Sequence, residues 1–148
     1  MCYVTLLSTT SEDDLARNNS GLVTFSRVLP GVPEEKYLRY HSKWYIGSKA
    51  GCSCDFRHLV ASSVPLGFGE PEGWFPEDRE NIEATKQVIS VIRKLVSAGA
   101  EVDCVDAWAH GKEEAEPLAG DLEVDLAEVS DARFRFFEAY RFTFTSRT

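Results

Sequence analysis

Cys52, Cys54 and His58 fall within seven positions of one another, at the end of the stretch KWYIGSKAGCSCDFRH, residues 43–58. Thiolate sulfur and imidazole nitrogen are the ligands zinc prefers, and zinc takes four in a tetrahedron or three plus water. The three residues therefore form a candidate metal set. A Cys-x-Cys spacing is shorter than zinc pairs usually show, and the chain has no second pair to complete it. A fourth ligand would come from Cys104, His41, Asp55 or water. The same loop fits thiol redox chemistry, because Lys49, Arg57 and His58 would favour a thiolate. A Cys52–Cys54 disulfide spans two positions only, so it would be strained and easily reduced. Without sulfur chemistry, Lys49 and Arg57 are candidate anion contacts, backed by the backbone amides of a small-residue turn. Free cysteine is also among the most buried residue types, so the loop equally fits a tight turn filled with small apolar groups.

A second concentration lies at Cys104, Asp106, Trp108 and His110, the end of an expected strand and a candidate pocket rim. Asp103 and Asp106 flank Cys104 there. An unpaired buried carboxylate is costly, so if the strand is central at least one aspartate is expected at its end or paired, and otherwise both are expected to face solvent. No phosphate-binding Gly-x-x-x-x-Gly-Lys-Ser/Thr motif and no Gly-x-Ser-x-Gly elbow occurs. The three histidines, His41, His58 and His110, are expected at the surface or in local hydrogen bonds rather than as catalytic bases.

The elements that must hold these groups can be read from periodicity and punctuation. Residues 2–8 are β-favouring and apolar on both faces, a central strand. Ser11 to Asp14 suits the start of a short helix, stopped by Asn18 to Gly21. Residues 22–29 form a second strand, ended by Pro30 and Pro33. Residues 34–40 are expected to be extended, and 43–48 form a third strand. Residues 64–76 hold three prolines and three glycines and read as a loop, pinned to the body by Phe68, Trp74 and Phe75. The helix expected over 77–98 carries an apolar stripe through Thr85, Val88, Ile89, Ile92 and Leu95 and stops at Gly99. Strands follow over 100–108 and around Leu122, Val124 and Leu126. Ser130 is expected to cap a short helix over 131–138, and 140–145 form the last strand. Because Phe136 and Phe137 would be adjacent on that helix, some aromatic surface is expected outside, suited to a homodimer contact.

At 148 residues the chain is expected to form a single globular domain, 1–148, large enough for its own core. The element order predicts an α+β fold: one mixed or mostly antiparallel sheet with the long helix on a face. A ferredoxin-like sandwich with C-terminal additions is the alternative. The net charge of −8 argues against general nucleic-acid binding. Residues 36–58 hold five basic residues and one acidic, whereas 101–131 hold eleven acidic residues and one basic. Those windows are solvated faces, or one attracts an anion and the other a basic protein partner, or they meet each other. No apolar run approaches a membrane span, and no secretory signal is evident, so a cytoplasmic location with reduced thiols is expected. Together these observations favour a non-enzymatic binding or interaction module. The alternative is a metal- or thiol-dependent activity, with zinc as cofactor, at the Cys52–Cys54–His58 loop.

Overall fold

The computed structural model describes residues 2–71, 76–109 and 111–146. Its centre is a six-stranded sheet in the order β2-β3-β1-β5-β8-β6. These strands are β1 (Tyr3–Thr9), β2 (Val23–Ser26), β3 (Ser42–Ser48), β5 (Val102–Trp108), β6 (Gly120–Asp125) and β8 (Tyr140–Thr145). All neighbours pair antiparallel except β6 and β8, which are parallel. The sheet is therefore mixed, as expected for an α+β chain. A small parallel pair, β4 (His58–Leu59) with β7 (Phe136–Phe137), closes one end. The described residues contain one α-helix, where a βαββαβ sandwich has two, so the ferredoxin-like alternative does not hold.

Helix α1 (Arg79–Ser97) starts where Asp78 accepts the Glu80 N–H and stops at Gly99, whose φ of +92° is a left-handed conformation. Its stripe buries Ala84, Thr85, Val88, Ile89, Val91, Ile92 and Leu95 against one sheet face. Leu7, Trp44, Ile46, Cys104, Val124, Phe142 and Phe144 come up from the strands to meet it. A smaller cluster on the other face joins Val4, Leu6, Leu38, Val105 and Ala107. Successive strand side chains alternate faces. Cys104 and Asp106 therefore share the helix side, while Asp103 and Val105 take the opposite one.

Three local expectations are corrected. Residues 34–40 are not extended throughout, because Pro33–Tyr37 forms a 3-10 turn. Pro33 pre-sets its φ, and the Glu35 carboxylate accepts the N–H groups of Gly31 (2.6 Å) and Val32 (2.8 Å). The short first helix is a 3-10 turn, Leu15–Asn18, capped by Asp14 rather than Ser11. Residues 131–138 form no helix. A turn at Ser130 leads into β7, where the Phe136 and Glu138 N–H groups donate to Arg57 O and Leu59 O. The Ala132 and Phe134 carbonyls, which a helix would use internally, instead accept from the Arg57 guanidinium. Freed from helical spacing, Phe134, Phe136 and Phe137 all point inward with no exposure. The aromatic surface expected to mark a homodimer contact is core. Phe68 packs on Phe134 at 5.4 Å, as expected of a pinned loop, while Trp74 and Phe75 lie outside the described residues.

Arg57 is the knot of this end of the molecule. Its five side-chain N–H groups reach Glu77 (Oε2, 2.7 Å; Oε1, 2.9 Å), Ala132 O, Phe134 O and Gly69 O. That saturates the guanidinium and ties three loops together. Removing it would leave the Glu77 carboxylate and the Ala132 and Phe134 carbonyls without these donors, while Gly69 O keeps its bond from Arg135. We expect Arg57→Met to lower stability by about 3 kcal/mol or more, as for a broken buried ion pair, read from the urea midpoint. Lys49→Met, which loses only an exposed bond to Glu80, should leave that midpoint unchanged.

Candidate functional site

The candidate site lies at a gap in the sheet. Antiparallel pairing of β1 with β3 stops at Thr5 opposite Ile46. Beyond it, Tyr3 still pairs with β5 and Ser48 still pairs with β2, so the two strands part. The turn after β3 folds back into the opening. Gly51 closes it at φ +90°, and its N–H donates to Ser48 O at 2.9 Å. A side chain at Gly47 would meet Gly51 O at 3.2 Å, a tight contact, and the φ of Gly51 favours glycine outright. Cys52-Ser53-Cys54 is then wedged between the strand ends. Cys52 O accepts from Ser48 N at 2.6 Å, and Ser53 N donates to Tyr3 O at 3.3 Å. The Ser53 hydroxyl donates to Ile46 O (2.6 Å) and accepts from Thr5 N (2.9 Å), so it replaces a missing rung of the ladder.

This wedge brings the loop sulfurs beside Cys2, the residue preceding β1. The Sγ atoms of Cys2, Cys52 and Cys54 all lie within 4.8 Å of one another, and all three residues are half-buried. Zinc–thiolate bonds of roughly 2.3 Å in a tetrahedron place sulfurs roughly 3.8 Å apart. The three sulfurs are thus close enough to hold a metal ion. The Tyr3 N–H donates to Cys54 Sγ at 3.3 Å. Burial opposes ionisation of Cys52, but the Cys54 backbone N–H and the Cys54 and Cys2 thiols donate to its sulfur, and its pKa falls below the ordinary thiol value. Burial, aided by the neighbouring Cys52 and Cys2 sulfurs, pushes Cys54 up to about 12 despite the Tyr3 N–H. Cys52 is therefore the sulfur that ionises first, and further ionisation calls for a cation among the sulfurs.

His58 stands behind the wedge rather than in the sulfur group. Its Nδ1 contacts Asp106 Oδ2 at 2.8 Å and its Nε2 contacts Ser53 O at 2.5 Å. Both ring nitrogens are occupied, so Cys2 takes the place expected of His58 beside Cys52 and Cys54. The ring stacks on Tyr3 at 4.0 Å and lies against Phe136. Because Ser53 O can only accept, Nε2 carries a proton, and a second proton lies between Nδ1 and Asp106. Thr5 Oγ1 donates to the other Asp106 oxygen at 3.0 Å. The expectation that Asp103 and Asp106 face solvent is overturned. Both are fully buried, each supplied with donors on its own face of β5. Asp103 accepts from the Ser8 hydroxyl and from Arg39 N, and burial holds its pKa above the ordinary value.

The remaining expected site residues are dispersed. Arg57 is 3% exposed and saturated, so it offers nothing to an anion. Lys49 is exposed and bonded to Glu80 at 3.0 Å. Cys104 lies in the core under α1 with no exposure. His41 bonds Glu12 at the surface, and Asp55 accepts from Ser48 Oγ at 3.0 Å. Asp106 and Trp108 do border a cavity of about 310 Å³, shared with Glu34, Glu116, Leu118 and Glu138, whereas His110 lies outside the described residues. The basic and acidic windows meet within the chain where Arg39 reaches Asp121 at 3.4 Å. The sequence did not bring Cys2 to the site, and Ser53, which the sequence suits to an anion cradle, instead bridges the two strands. The signal for Cys2 was present, since antiparallel pairing of 2–8 with 43–48 sets the start of one strand beside the end of the other. No protein-family model, curated protein or solved structure matches the chain.

Burial draws the His58 pKa down, but the Asp106 charge, the Asp106 hydrogen bond and Ser53 O more than offset it, leaving it above the ordinary value. A raised folded-state pKa contributes stability that is full below the unfolded value, about 6.5, and lost as pH rises through the folded one. The stability difference between wild type and His58→Gln should therefore shrink as pH is raised from about 6 toward 9. Urea midpoints across that range check this, and a gap that widens with pH contradicts it.

Proposed function

We propose that the chain is a non-enzymatic metal-binding module that holds one thiophilic cation, zinc first among them, on Cys2, Cys52 and Cys54, with the fourth position open to water. The observation that carries the reading is the convergence of three sulfurs from two segments some fifty residues apart. Thiolates suit zinc and the softer ions and disfavour magnesium and calcium. The surroundings support it. His58 bonds the carbonyl of Ser53, the residue between the two loop ligands, and is itself fixed by Asp106. That is the kind of outer support that orients ligands before a metal arrives. Such a site needs a reducing compartment, and the cytoplasm provides one. Among the described residues no helix is long and apolar enough to cross a membrane.

Protein purified without chelator should carry about one zinc per chain by elemental analysis, as a three-sulfur site requires. Cys2→Ser or Cys52→Ser should lower zinc affinity at least about 100-fold, and His58→Gln by about 10–100-fold, the range for an outer support. Competition against a zinc chelator reads these losses, with circular dichroism to show that each variant is folded. Because ligation displaces thiol protons, affinity for zinc should rise with pH. A metal-free protein whose melting temperature ignores added zinc would overturn the reading, as would a Cys2→Ser variant that binds zinc like wild type.

A further inference from the structure

We propose that the same three sulfurs form an oxidation switch: a peroxide joins Cys2 to Cys52 in a disulfide, and the metal leaves. The inference rests on the metal-binding reading and adds its regulation. The sulfurs already lie within 4.8 Å of one another, so a local adjustment brings a pair to the roughly 2 Å of a disulfide bond. All three residues are half-buried, within reach of a small oxidant, whereas Cys104 is sealed in the core and stays out of the chemistry.

The wedge decides which pair forms. A Cys52–Cys54 bridge would have to bend the chain around Ser53. That residue is held by Tyr3 O, Ile46 O, Thr5 N and His58 Nε2 at once. Bending it breaks those bonds, and a bridge across two positions is strained in any case. A Cys2–Cys54 bridge would pull the Cys54 sulfur away from the Tyr3 N–H, the bond that ties this sulfur to β1. Cys2 and Cys52 are the pair that can close with the wedge left in place.

The Cys52 thiolate attacks one peroxide oxygen, the O–O bond breaks, and a sulfenic acid and hydroxide result. The Cys2 thiolate then attacks the sulfenic sulfur, the S–S bond forms and a second hydroxide departs. Two protons convert the hydroxides to water. Two thiolates lose two electrons, hydrogen peroxide gains them, and the ion, left with Cys54 alone, is released.

The test treats zinc-loaded protein with hydrogen peroxide. Released zinc is followed with a chromogenic chelator, and intact mass and peptide mapping follow the thiols. The expected result is one zinc released per disulfide, in parallel with loss of two hydrogens from the chain, a cross-link between the Cys2 and Cys52 peptides, and full reversal by dithiothreitol. Cys104→Ser should behave as wild type. Cys2→Ser should form an intrachain disulfide at least tenfold more slowly, and mapping of wild-type protein gives the same assignment should that variant misfold. Unslowed bridging in Cys2→Ser, a Cys52–Cys54 cross-link, or zinc retained after bridging overturns the switch. If zinc binds and peroxide changes neither metal nor thiols, the switch falls and the metal reading stands. If no zinc binds yet the bridge forms, the metal reading falls and the coupled switch with it.

Discussion

The carboxylate of Asp106 has no access to water and sits on the helix side of a central strand. An unpartnered charge there would cost several kcal/mol, so it must be answered from nearby. Thr5 supplies one donor and His58 the other. His58 is thereby fixed, and its far nitrogen holds Ser53 O. Ser53 in turn fills the break between β1 and β3 and carries a cysteine on either side. The chain Thr5–Asp106–His58–Ser53 thus links a buried charge to the placement of the sulfurs. The sulfur group is an outcome of core electrostatics as much as of loop sequence.

Strand alternation explains why β5 holds two buried carboxylates. Asp103 and Asp106 are three positions apart and so face opposite sides of the sheet. On the helix side Asp106 holds His58 and the wedge. On the other side Asp103 holds Arg39 N and, through Ser8, Tyr40 N, which pins the segment before β3. Each face of the central strand anchors one crossing segment. Arg57 does the same for the loops beyond β4, so its charge is spent on the fold, not displayed to an anion.

The regular elements were legible because apolar periodicity records burial. The α1 stripe and the alternation in β6 both survive as drawn. The failures occur where a partner distant in sequence overrides local preference. Residues 131–138 have a helical cap and spacing, yet Arg57 takes their carbonyls and β4 takes their N–H groups. Asp103 and Asp106 look like surface residues until Ser8, Arg39, Thr5 and His58 are brought to them. Half of the candidate site was visible, in Cys52 and Cys54. Cys2 was hidden because it is adjacent only through strand pairing. His58 was misplaced because nothing local announces that Asp106 will claim it.

In the site proposed above, the metal ion sits on three sulfurs with His58 behind them, not among them. X-ray absorption at the zinc edge of the loaded protein tests this most directly. Three sulfur scatterers at about 2.3 Å with one light oxygen or nitrogen atom are predicted. A shell with two sulfurs and the multiple-scattering signature of imidazole, or one made of oxygen alone, would contradict it.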